Sequence, residues 1–194
     1  MEYNHLKWKT LASEYIYKDN WFVARKDTCQ KPNGGIVHPY YVLEYTPWAC
    51  AVAFTIDGKV IIERQYRHAL GEVSIELPGG CVDEKDTNNE AAIRRELLEE
   101  TGYTFDEVVY LGHTSSNPST NANLMHMFIA FDGRKTDNQN LDANEEIELF
   151  ETSFTTLMQM ALANKIVQAM HITTLFFANN YLQKRADKNY LLSL

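Results

Sequence analysis

Cysteine is scarce in this chain: Cys29, Cys50 and Cys81 are odd in number and irregularly spaced. No CxxC pair occurs, so neither a zinc site nor a disulfide framework is indicated. Long apolar runs are missing as well. No stretch of about 18 apolar residues occurs, and the start, Met1-Glu-Tyr-Asn-His-Leu-Lys, is polar. The sequence therefore gives no sign of a membrane span or a secretory leader, and the expectation is a cytoplasmic protein with no membrane partner. Positive charge is the minority: 18 Lys and Arg stand against 26 Asp and Glu, a net charge of −8. A nucleic-acid backbone as main partner wants a basic stripe, so that class is disfavoured. The same imbalance means that an anionic substrate needs a metal or local arginines to offset repulsion. Internal repeats, low-complexity tracts and a nucleotide P-loop are also absent from the sequence.

What is there can fill a real core. The 194 residues are 45% hydrophobic with 12% aromatics, which suits one large domain or one domain with an appendage. Residues 1–46 read as a small antiparallel β unit. Lys7 to Lys18 alternates loosely, Trp21 to Arg25 and Tyr40 to Tyr45 read as strands, and Lys31-Pro-Asn-Gly-Gly35 is a turn. Such a unit is too small to stand alone and must pack on the rest of the chain or on a second subunit. Pro47 and Trp48 mark the junction to a second domain over 47–194. There Ala49 to Ile56, the Asp57-Gly58 turn and Val60 to Arg67 form a hairpin signal. Further strands are expected at Glu107 to Gly112, at Leu124 to Phe131 and from Glu145 onward. Phe154 to Ala163 and Ile172 to Gln183 read as amphipathic helices, and the last few residues from Lys184-Arg185 as a surface tail.

The stretch from Gly79 to Tyr103, GGCVDEKDTNNEAAIRRELLEETGY, organises the rest. Thr87-Asn-Asn-Glu90 has the form of a capping box, and Gly102 stands where a left-handed cap closes a helix. Glu96 and Glu100 lie one turn apart on one face, with Glu99 beside them. Like charges at that spacing repel, unless a hard divalent cation such as Mg²⁺ takes them as oxygen ligands. A plain solvated acidic face is the alternative.

The run Arg95-Glu96-Leu97-Leu98-Glu99-Glu100-Thr101-Gly102-Tyr103 decides between them, because it resembles the back half of the Nudix box. From about Pro47 onward the chain resembles a Nudix hydrolase. The front half of the box departs from the pattern by one residue. Counting from Gly80 puts Asp86 at the box's first acidic position, with one extra residue at the helix entry; counting back from Arg95 puts Thr87 there. The first register keeps the Gly-Gly turn and an acidic residue and is preferred. Gln65-Tyr66-Arg67 with Glu76-Leu-Pro-Gly-Gly80, the N-terminal strands, and Pro118, 15 residues after Tyr103, resemble the ADP-ribose pyrophosphatase branch.

The resemblance implies an α/β (α+β) fold: a Nudix-type α/β/α sandwich with a mixed sheet, preceded by the small antiparallel β unit. It implies hydrolysis of the pyrophosphate of a nucleoside diphosphate derivative, with ADP-ribose split to AMP and ribose 5-phosphate. Mg²⁺, or alternatively Mn²⁺, would be held by Glu96, Glu99 and Glu100, by a carbonyl at the turn (Gly80, with Cys81 next), and by an acidic loop in which Glu145 and Glu146 are both candidates. One of those two would otherwise be the base that activates water. Arg95 would orient a helix glutamate. Arg67 would meet a substrate phosphate, or alternatively pair with Glu76. Glu76 and Pro118 are further candidates for the substrate side, and the polar loop His113 to Asn123 for its rim. Trp21 and Tyr40 are candidates for recognising the adenine ring, whereas His113 and His126 read as packing or surface residues. The N-terminal strands would build a homodimer. Rival readings are a pyrophosphatase of a nucleotide sugar such as GDP-mannose, a non-catalytic nucleotide sensor, and an isomerase on the same fold. A substrate panel separates the first. The intact set of three glutamates argues against the second, and Gln65-Tyr66-Arg67 with Pro118 against the third.

Overall fold

The computed structural model describes residues 3–185; of the surface tail expected from Lys184-Arg185, Lys184 instead ends the last helix and Arg185 pairs with Glu107 at 2.9 Å, and the rest lies outside the described residues. The chain divides after Thr46 into two compact units, and Ser115–Asn123 belongs with the first. In that first unit a 3₁₀ turn, Asn4–Leu6, precedes β1 (Lys9–Lys18), β2 (Val23–Gln30) and β3 (Ile36–Glu44), an antiparallel sheet in that order. The Lys31 to Gly35 turn joins β2 to β3, as its residues predict. The segment Ser115–Asn123 runs along β3: Leu43 N–H donates to the Thr120 carbonyl, Ala122 N–H to that of Leu43, and the Tyr40 hydroxyl to that of Ser119. Backbone hydrogen bonds to β3 thus hold this part of the loop that the sequence puts forward for the substrate rim.

The second unit is built on a seven-stranded mixed sheet. Its strands are β4 (Trp48–Thr55), β5 (Val60–Arg67), β6 (Glu72–Glu76), β7 (Tyr103–Thr104), β8 (Glu107–Thr114), β9 (Met125–Lys135) and β10 (Ile147–Thr152). The order is β10-β5-β4-β9-β7, with β6 on β5 and β8 on β9, and β4 and β9 run parallel. The short strand β6 carries no clear sequence signal. It lies where β4 stops pairing with β5, so the rest of β5 finds its ladder there.

Strand β4 shows why the sheet takes helices on both faces. Its residues alternate between Ala49, Ala51 and Ala53 on one side and Cys50, Val52 and Phe54 on the other, and all are buried. The large set packs with Phe154 and Leu157 of α2 (Phe154–Leu162) and Leu175, Ala178 and Leu182 of α3 (Ala169–Lys184). The three alanines, with Ile61 of β5, face Ile93 and Leu97 of α1 (Asn89–Thr101). Small side chains there let α1 lie close to the sheet. The result is the α/β/α sandwich expected from the sequence.

Both ends of α1 are closed locally. Asn88, not Thr87, is the N-cap: its side chain accepts from Ala91 N–H at 2.9 Å. Either residue can cap a helix, and the one-residue insertion before Arg95 moves the start by one. Gly102 caps the C-terminus in the left-handed conformation at φ 73°, as its position predicts.

Candidate active site

The two glutamates one turn apart on α1 are not on a solvated face. The buried residues of α1 are Ala92, Ile93, Glu96, Leu97, Glu100 and Thr101, so the carboxylates lie on the same stripe that packs on the sheet. Glu96 is 9% exposed and Glu100 5%. Burial raises the pKa of both, that of Glu96 to about 7. Glu99, one turn from Arg95, is half-buried.

The turn Leu77 to Gly80 is held against α1 and β4 from several sides. Ala51 N–H donates to the Pro78 carbonyl and Ala49 N–H to that of Gly80, while Gly79 N–H donates to Glu100 Oε2 at 2.7 Å. A Cβ on Gly80 would come within 2.7 Å of the Glu96 carboxylate, so the absent side chain is what lets the turn and the helix meet. The Gly80 carbonyl was expected to face the metal. It already serves as an acceptor for β4, which leaves it a single lone pair for a cation. Gly79 has φ 147°, and a Cβ there would run into the Ala49 carbonyl and Cys50 Cα. Gly79→Ala is therefore expected to lower stability by more than about 3 kcal/mol, read as the urea midpoint, because neither backbone atom can yield.

The fourth tether is weaker and sensitive to acid. His171 of α3 accepts a long hydrogen bond from Leu77 N–H at Nδ1, 3.4 Å, and stacks on Trp48. Burial lowers its pKa from 6.5 to about 4, so it is neutral in the folded protein at pH 7. Between those values the unfolded chain binds the proton and the folded one does not. The His171 contribution should be full above pH 6.5 and fall by about 2–3 kcal/mol down to pH 4.5, against the opposite gain from protonating the buried glutamates Glu96 and Glu100. Denaturant melts of the wild type and His171→Gln at the two pH values check this: the variant should lose that part of the slope.

Arg95 is the hub of the helix entry. Its Nε and Nη2 reach both oxygens of Asp86 (3.1 and 2.9 Å), Nη2 also reaches the Cys81 carbonyl, and Nη1 reaches Glu96 and Glu99 (2.9 and 2.8 Å). Hydrogen bonds from Arg95 hold Asp86 below the usual carboxylate range. Asp86, the acidic residue of the preferred register, is thus the partner of Arg95 at both oxygens. Thr87, which the other register would put there, lies in the same loop with no such pairing to Arg95.

Sequence reasoning missed Glu63. It sits on β5 opposite Glu76 and shares a strand face with Ile61, the face that α1 covers. It is 3% exposed, and its Oε1 has no hydrogen-bond partner among the described residues. Burial first, then the charges of Glu76 and Glu145, push its pKa up to about 8, and the Glu100 carboxylate is its neighbour. The available signal was parity: Ile61, Glu63, Gln65 and Arg67 alternate onto one face of β5.

The remaining candidates separate. Glu145 is half-buried and its charge raises the pKa of Glu63, Glu96 and Glu100, whereas Glu146 is exposed. The charge of Glu145 is thus felt at the three carboxylates, while its own carboxylate accepts from Asp142 N–H at 3.0 Å. Arg67 takes the salt-bridge alternative, with Nε and Nη2 on the two oxygens of Glu76 at 2.8 and 2.5 Å. Its Nη1 and the second N–H of Nη2 are left for a phosphate. Pro118 is exposed in the segment that belongs with the first unit, and Trp21 is 83% exposed. Tyr40 lines a hollow of about 300 Å³ within the first unit, with Trp8, Thr10, Asp27, Cys29 and Val42. His113 and His126 both meet the Tyr110 hydroxyl, at 3.1 Å, away from the glutamates in the hydrogen-bond network.

Among the described residues no three acidic, imidazole or thiol groups are preorganised around one point. Arg95 draws Glu96 and Glu99 to itself. The donor set nonetheless fits a hard cation: all oxygen, buried, mutually repelling, and with the orphaned Glu63 Oε1 among them.

Comparison with known proteins agrees with this geometry. The NUDIX domain matches residues 44–174, and the nucleoside diphosphate sugar hydrolase N-terminal domain matches residues 8–43. GDP-mannose pyrophosphatase of Escherichia coli (strain K12) is 30% identical over 187 residues, 90% of this chain and 94% of that protein. ADP-ribose pyrophosphatase of Bacillus subtilis (strain 168) is 28% identical over 166 residues, 84% and 88% of the two chains. The crystal structure of an ADP compounds hydrolase superposes with a TM-score of 0.81 at 20% identity, over 93% of this chain and 96% of that one, a likeness of fold. The chain belongs to the Nudix family: it is a Nudix hydrolase of the nucleoside diphosphate kind, similar in sequence to ADP-ribose and GDP-mannose pyrophosphatases. Nudix hydrolases generally use divalent metal ions such as Mg²⁺. No helix among the described residues is long and apolar enough to cross a membrane.

Proposed function

We propose that this protein hydrolyses the pyrophosphate bond of a nucleoside diphosphate linked to a second group, with ADP-ribose, cleaved to AMP and ribose 5-phosphate, as the first substrate. The observation that carries the reading is the burial of Glu96 and Glu100 on the packed face of α1, where Arg95 is shared among three carboxylates and Glu100 has only the Gly79 N–H, an arrangement that costs stability unless it serves a cation. Glu96, Glu99 and Glu100 would hold Mg²⁺ or Mn²⁺, with a carbonyl of the Gly79–Gly80 turn. When bound, the ion supplies charge neutralisation at the pyrophosphate and lowers the pKa of an attacking water. Arg95 positions Glu96 and Glu99 through charge-assisted hydrogen bonds and does not touch substrate. Glu145 accepts the proton of the attacking water. Arg67, locked by Glu76, presents its free Nη1 to a phosphate oxygen.

GDP-mannose is the second reading, favoured by the longer and slightly closer match to the pyrophosphatase of that name. Product analysis with both compounds, with and without Mg²⁺, tests the proposal. Phosphomonoester release from ADP-ribose should exceed that from GDP-mannose, and both should stop with chelator. A reversed preference moves the assignment to the nucleotide sugar; release unaffected by chelator removes the metal reading. The first unit is proposed to serve dimerisation in a cytoplasmic enzyme. Strand β1 is exposed along its whole length, with Leu11, Tyr15, Ile16 and Tyr17 uncovered. Sedimentation of the full chain should give twice the mass of 22.4 kDa.

A further inference from the structure

We propose that Glu63 of β5 is a further carboxylate of the metal site, binding a divalent cation together with Glu100. The inference rests on the metal reading above and extends it to a residue outside the α1 motif.

Strand β5 begins Val60-Ile61-Ile62, all buried, and Glu63 continues that buried run where an apolar side chain would pack. A carboxylate removed from water costs several kcal/mol unless it is paired. The obvious partner is engaged elsewhere. Arg67 stands four residues further along the same strand face, and its Nε and Nη2 are turned to the two oxygens of Glu76. Glu63 Oε1 is left with no hydrogen bond among the described residues; of its acidic neighbours, Glu76 is held by Arg67, and Glu100 is buried with no ion pair among the described residues. Two carboxylates in contact must share either a proton or a cation. Sharing a proton would be a purely structural solution, and leucine or valine would serve the core better at this position. Sharing a hard divalent cation satisfies both groups, accounts for the orphaned oxygen and leaves open positions on the ion for water and phosphate oxygens.

The two solutions separate experimentally with Mn²⁺ as the probe. Glu63→Gln keeps the shape and a hydrogen bond to Glu100, so it imitates the shared proton but removes the ligand charge. Full-length wild type, Glu63→Gln and Glu100→Gln are titrated with Mn²⁺ and read by electron paramagnetic resonance for stoichiometry and Kd, and by thermal melts with and without the ion. If Glu63 is a ligand, Glu63→Gln weakens Mn²⁺ binding at least about tenfold or loses one ion. Its metal-free Tm rises above that of the wild type, and its Mn²⁺-induced rise in Tm shrinks. Glu63→Val, matched to the apolar run, should behave alike and covers the case in which the glutamine variant folds poorly. Wild-type Kd and stoichiometry in Glu63→Gln, with Glu100→Gln weakened, overturn the role of Glu63 alone. Failure of the wild type to bind Mn²⁺ at all overturns the metal reading together with it.

Discussion

Replacing Glu100 with Gln is expected to lower kcat for ADP-ribose by about 10³-fold, roughly 4 kcal/mol of transition-state stabilisation. The fold should survive. Gln keeps an oxygen for Gly79 N–H, the one hydrogen bond that ties this side chain to the turn. Folding should even gain, because the variant removes a buried charge that faces Glu63, Glu96 and Glu145. The expected pair of results is a higher metal-free Tm with a severe loss of turnover. That combination separates a ligand from a structural residue, whose replacement lowers both. A folded variant turning over at near-normal rates would remove Glu100 from the catalytic metal site.

Arg95→Ala is the second large effect, and it should move stability and activity together. Asp86 has a side chain only 6% exposed and depends on Arg95 at both oxygens, so it would be left buried without its cation. Breaking a buried pair costs about 3–5 kcal/mol, and the partial exposure of Arg95 reduces this to about 2–3 kcal/mol. The Cys81 carbonyl and the carboxylates of Glu96 and Glu99 lose the same guanidinium, so kcat should fall about 10- to 100-fold through mispositioned glutamates. Denaturant unfolding and steady-state kinetics on one preparation check both. Arg95→Lys should recover little, since a single ammonium cannot span Asp86 and two glutamates. An alanine variant with wild-type kcat would remove Arg95 from the positioning role.

Local features of the fold could be read from the chain. The helix α1 follows from its spacing and caps, the β4–β5 hairpin from the Asp57-Gly58 turn, and α2 and α3 from their apolar periodicity. The cap was misplaced by one residue because Thr87 and Asn88 are both good caps and the insertion shifted the start. Strand β6 was missed because it exists to complete a ladder, which is a property of β5's other partner. The site was legible in the same uneven way. Arg95, Glu96, Glu99 and Glu100 are close in sequence, and helix geometry alone puts them on neighbouring positions. Arg67 had two open partners in the sequence, and only the pairing of β5 with β6 brought Glu76 within reach of its fork.

The sequence by itself determined a capped helix with carboxylates one turn apart, a glycine turn ahead of it, and strands whose apolar runs demand cover on both faces. These depend on contacts within a few residues, where backbone geometry leaves little choice. Tertiary structure alone decided that Glu96 and Glu100 point into the packed side of α1. It also brought Glu63 beside Glu100, left Glu145 half-buried and Glu146 exposed, and tied Ser115–Asn123 to β3. Those outcomes turn on which way a strand's pleat faces and on which distant strands pair. A shift of one residue in register would send Glu63 to the opposite face, and nothing local to Glu63 opposes that shift.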